Sequence, residues 1–156
     1  MATQPIQQPS AVSGVLQPPA ARPGPASLLR DLHALTRLLA AAPGEPRWRE
    51  GVEIGLAPVR QGFAEHVAAT EGPAGLYAEL LAQAPRLDRG VRLLTREHEA
   101  IAAALAALQH AAERPGAPAH ELRMLAAHLL RALSRHRQRG ADLLWLAYET
   151  DLGGET

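Results

Sequence analysis

From Ser27 onward, apolar residues recur at three- and four-residue spacings in four long runs, each ended by proline or glycine. That period, with polar residues between, predicts amphipathic helices that each bury one stripe. The first run carries Leu28, Leu32, Leu35 and Leu39 and stops at Pro43-Gly44, with Ser27 suited to its N-cap. The second starts after Pro46 and sets Val52, Leu56, Val59, Phe63, His66 and Thr70 on one stripe before Gly72-Pro73. Gly55 and Pro58 interrupt it, which leaves two readings: one continuous helix, or a short helix over 46–56 with Pro58 opening the main one.

Residues 75–83 predict a short helix between Pro73 and Pro85. The third run, 87–113, holds Leu87, Val91, Leu94, His98, Ile101, Leu105 and Leu108 in heptad spacing. A turn at Pro115, Gly116 and Pro118 leads to the fourth, 120–148, with Leu122, Leu125, Leu129, Leu133, His136, Gly140 and Leu143 on its inner face and Gly153-Gly154 beyond. No strand survives this reading. The fold expected is all-α: an up-down-up-down four-helix bundle over 26–152, with an extra short helix between the second and third long ones. Residues 1–25 hold six prolines, four glutamines and the single charge Arg22, a composition that predicts a disordered tail serving as a spacer or weak docking strip.

Composition sharpens this picture. Aromatics are only 3% of 156 residues, so the core is aliphatic. With no cysteine, disulfides, iron–sulfur clusters and thiolate zinc sites are excluded, and any metal is held by nitrogen and oxygen. All sixteen basic residues are arginine, balanced by sixteen acids, so there is no overall attraction to nucleic acid and no lysine for Schiff-base chemistry. No apolar run reaches the roughly 18 residues of a membrane span, and no leader is apparent. A cytoplasmic protein is expected.

Three histidines interrupt the apolar stripes: His66, His98 and His136 each replace an apolar residue at a stripe centre, on three different helices. A buried imidazole without a partner costs about 1–3 kcal/mol, and a metal ion satisfies several imidazoles at once. Turn arithmetic agrees for two of them, because His98 lies eighteen residues before Gly116 and His136 twenty after it. His33 matches the level of His66 only if 46–56 is an off-axis crossover; if the second helix is continuous, the two miss each other by several turns. His110, His120 and His128 fall on outward faces or helix ends.

A histidine from each of four helices, with carboxylates following two of them, resembles the hemerythrin family and its bacterial HHE cation-binding relatives. The resemblance spans residues 27–152 and implies a four-helix site for two irons, bridged by carboxylates, with an open position for oxygen or a related diatomic molecule. Carried over, it names His33, His66 in FAEHVAATEG, His98 in LTREHEAI and His136 in SRHRQRGADLL as metal ligands. Thr70 and Gly140 stand where acids follow the histidines of the second and fourth helices, and Ala102 where a second histidine follows His98. Glu71, five residues after His66, is the carboxylate ligand that remains, with Glu97 on the edge of its stripe and Asp142, six after His136, pointing away from the core. The ligand set is therefore incomplete, and one iron, a pair or no metal at all follows.

Three functions compete. The first is a non-enzymatic iron-binding bundle for storage or for sensing oxygen, nitric oxide or redox state. The second is a metal-free interaction module that binds a protein partner or a second copy of itself, for which an outward-facing Trp145 speaks. Haem between two histidines is the third, and the scarcity of aromatics weighs against it. No nucleophile beside a base and no phosphate-cradling loop supports catalysis, and Arg137 and Arg139 read as a solvated basic edge.

Overall fold

The computed structural model describes residues 25–41, 43, 44 and 47–149. Apart from Pro25, the tail expected over 1–25 lies outside the described residues, as does the Gly153-Gly154 stop. Four long helices and one short one make up the described residues: α1 Pro25–Ala40, α2 Trp48–Glu71, α3 Leu76–Gln83, α4 Asp88–Glu113 and α5 Ala119–Glu149, with a 3-10 turn over Pro85–Leu87 before α4. There is no strand among the described residues. Each long helix buries its stripe, with Leu28, Leu32, Leu35 and Leu39 at most 9% exposed on α1 and Leu122 and Leu129 wholly buried on α5. α1 packs along α2 and α4 along α5, while α2 against α4 and α1 against α5 close a ring, a set of contacts that fits a packed bundle.

α2 runs unbroken through Pro58. Proline removes the hydrogen bond to the carbonyl of Ile54, but Pro58 and Ile54 lie on the exposed face, where water meets that carbonyl. This excludes the separate short helix over 46–56 and has a consequence for His33. Gly62 faces Leu28 while Gly55 faces Leu38, so α1 and α2 run in opposite directions. His33 is five residues past Leu28 and His66 four past Gly62, which separates them along the axis by nine residue rises, about 13.5 Å.

One end of the molecule is pinned by side chains on helix-end carbonyls. Trp48 Nε1 donates to Leu38 O at 2.9 Å, Arg123 donates to Leu39 O at 2.7 Å and to Ala41 O at 3.1 Å, and Arg49 reaches Arg114 O at 3.0 Å and also Ala117 O. The opposite end is closed by α3 and a second apolar cluster of Tyr77, Leu80, Ala84, Leu87, Val91, Leu94 and Leu143. The main core, which includes Phe63, Ile101 and Leu133, is separate from it. His66, His98 and His136 occupy the layer between the two.

Candidate metal centre

Two of the histidines fill this layer because they continue stripes that are apolar on either side, His98 between Leu94 and Ile101 and His136 between Leu133 and Leu143, while His66 lies between Phe63 and the buried Thr70. His98 is 3% exposed and His136 6%, while His66 is half-buried. Their Nε2 atoms converge, 3.1 Å from His66 to His98, 3.1 Å from His66 to His136 and 3.0 Å from His98 to His136. Phe63 covers the side toward the main core, its ring edge-on to His98 at 5.8 Å.

Behind two of the rings stand acids. His98 Nδ1 is 2.5 Å from Glu71 Oε1, and His136 Nδ1 is 2.9 Å from Glu97 Oε2. Arg139 pairs with the other oxygen of Glu97. A carboxylate only accepts, so each Nδ1 carries the proton and donates it. The Nε2 atoms of His98 and His136 are then both bare lone pairs facing each other at 3.0 Å. His66 can offer one proton at most among three contacts. Supplying further protons as imidazolium is opposed by the surroundings: burial, then the neighbouring His98 and His136, push His66 down to about 4. Burial also lowers His98, against the pull of Glu71, and lowers His136.

A cation other than a proton resolves this conflict. Around a tetrahedral ion with bonds of about 2.0–2.1 Å to nitrogen, ligand atoms lie about 3.3–3.4 Å apart; the observed 3.0–3.1 Å is within a few tenths of an ångström. Carboxylates donated to from the far ring nitrogens are the usual supports of metal-bound histidine, fixing the tautomer and ring orientation. Among the described residues, His66, His98 and His136 form a group of three that could hold an ion, their ligand atoms within 4.8 Å of one another.

Of the five ligands expected from sequence, these three come together. Glu71 joins them from behind, on His98 Nδ1, rather than on the face where the Nε2 atoms meet. His33 lies exposed on α1 and outside the group, as the continuity of α2 requires. Asp142 is exposed and accepts from Gln138 at 2.9 Å, and His110, His120 and His128 are exposed. Glu97 reaches inward, to His136 and not to the adjacent His98, and it pairs with Arg139, whose side chain stays on the exposed edge.

Sequence reasoning missed Tyr77 altogether. Its ring stacks on His98 at 5.8 Å and 13°, and its hydroxyl is 3.5 Å from His98 Nε2. Burial, with Glu71 adding to it against the Thr70 hydrogen bond, pushes its phenol up to about 12. The turn before α3 delivers it: a Cβ on Gly75 would lie 2.7 Å from Thr70 O and 2.8 Å from Gly72 O, so only glycine allows this approach. The one available signal was rarity, since the chain has two tyrosines. Comparison with family models, with curated proteins and with solved structures gives no match.

Proposed function

We propose that the chain is a non-enzymatic, hemerythrin-like metal-binding protein: an up-down-up-down four-helix bundle whose interior layer of His66, His98 and His136 holds a transition-metal ion. The observation that carries this reading is the meeting of three Nε2 atoms at 3.0–3.1 Å when two of the rings already use their Nδ1–H groups as hydrogen-bond donors to Glu71 and Glu97. Neutral imidazoles suit ferrous iron, zinc, copper or nickel rather than magnesium or calcium. Iron is the choice the hemerythrin resemblance favours. Because both acids are engaged behind the rings and Thr70 and Gly140 offer none, the ligand set suits one ion better than two. Three protein nitrogens leave one position on a tetrahedral ion, and more on a five- or six-coordinate one, for an oxygen donor or a small diatomic molecule, in keeping with sensing or storage.

Metal content after desalting tests the proposal, on protein from cells supplied with iron and zinc. About one ion per chain is expected in the wild type and in His33→Ala, and almost none in His98→Ala or His136→Ala. Equal and negligible metal in all four rejects the site. That outcome favours the second reading, a metal-free interaction module, for which the exposed Trp145, Leu146 and Tyr148 near the end of α5 speak.

A further inference from the structure

We infer that Tyr77 is a fourth ligand to the ion held by His66, His98 and His136, so that the site binds through three nitrogens and one phenolate oxygen; this rests on the metal-binding reading above. Four observations point the same way. The Tyr77 hydroxyl lies 3.5 Å from His98 Nε2, too long for a strong O–H···N bond but close to the spacing of about 3.3–3.4 Å between neighbouring ligand atoms of one small ion. The phenol ring lies nearly parallel to the His98 imidazole, at 13°, with its hydroxyl beside the imidazole Nε2. Tyr77 is 6% exposed and belongs to a cluster whose other members are all aliphatic, and its hydroxyl meets Thr70 and His98, both outside that cluster. It also comes from α3, on the side of the histidine layer away from Phe63, where the three nitrogens are not covered by the main core.

Coordination is a ligand exchange with no electron transferred. The O–H bond of Tyr77 breaks, its proton leaves to the buffer, and a metal–oxygen bond forms in place of one to water. A phenolate oxygen is a harder and more electron-rich donor than water, so it shifts the preference of a three-histidine site toward the more highly charged oxidation state of iron or copper. The site would then favour ferric over ferrous iron.

Cupric ion tests this, because a cupric phenolate absorbs intensely in the visible by ligand-to-metal charge transfer and shows phenolate ring modes in resonance Raman, whereas imidazole ligands alone give neither. One equivalent of copper is added to the metal-free full chain, excess is removed, and retained copper is measured beside the spectrum. The wild type is expected to keep one copper and show the band. Tyr77→Phe is expected to keep copper and lose the band. Tyr148→Phe, at a position 68% exposed, leaves Tyr77 as the only tyrosine and is expected to keep both, so it decides the assignment even if Tyr77→Phe does not fold. Copper retained without the band overturns the role of Tyr77 and leaves the three-histidine site standing. A band that survives Tyr77→Phe or vanishes in Tyr148→Phe also overturns it. No copper retained by the wild type overturns both.

Discussion

Replacing Glu97 by glutamine keeps the shape of the side chain and removes its charge, and the structure places the consequence on His136. The Glu97 side chain is 15% exposed and that of His136 7%, so the hydrogen bond between them is little screened. A hydrogen bond to a charged group nets about 1.5–3 kcal/mol and a neutral one about 0.5–1.5, which puts the difference at about 1–1.5 kcal/mol. Much of this acts on the metal, because the carboxylate raises the electron density that Nε2 offers. At 1.4 kcal/mol per tenfold, affinity should fall about tenfold, within the 10- to 100-fold range of outer supports. Arg139 adds little, since its side chain is 48% exposed and returns to water when the pair is broken. Zinc affinity is measured by competition with a chromophoric chelator, with Glu99→Gln, an exposed site on the same helix, as the control. If Glu97→Gln binds zinc within twofold of the wild type while circular dichroism is unchanged, the carboxylate does not support a metal ligand and the reasoning fails.

Acid should destabilise the metal-free chain. His66 titrates near 4 in the folded state against 6.5 unfolded, so below pH 6.5 the unfolded state binds more protons, and stability present above 6.5 is lost as pH falls toward 4. For His66, half-buried and therefore partly screened by water, this is on the order of 1–2 kcal/mol, read as a falling urea midpoint between pH 7.5 and 4.5; a flat midpoint contradicts the neutral imidazole. Gly140→Ala meets nothing within 4 Å inside α5 and should raise stability by about 0.5–1 kcal/mol in thermal unfolding; a loss instead means the space beside Gly140 is filled. Thr70→Glu puts an acid one turn beyond His66 at a buried position and should raise iron bound from one toward two per chain, whereas an unchanged ratio separates this site from the two-iron geometry the resemblance implies.

The helices, their buried stripes and the three histidines at stripe centres are readable along the chain, because a 3.6-residue period records which face of each helix avoids water. The spacing of His98 and His136 about a short turn also brings them to one level, since a tight connection leaves little freedom in the register of α4 on α5. The period is silent about how far one helix slides along another. Only the unbroken passage of α2 through Pro58 decides that His33 lies about 13.5 Å along the axis from His66. It is equally silent about which atom of a side chain points where. Glu71 lies 27 residues from His98 and Glu97 39 from His136; whether such an acid meets the metal face or the far ring nitrogen depends on helix rotation and rotamers set by neighbours distant in the chain. Tyr77 is the extreme case, carried by a short helix with no chemistry of its own and brought onto His98 by a glycine turn. Local periodicity determined what is buried; the packing of distant segments decided which buried groups face one another.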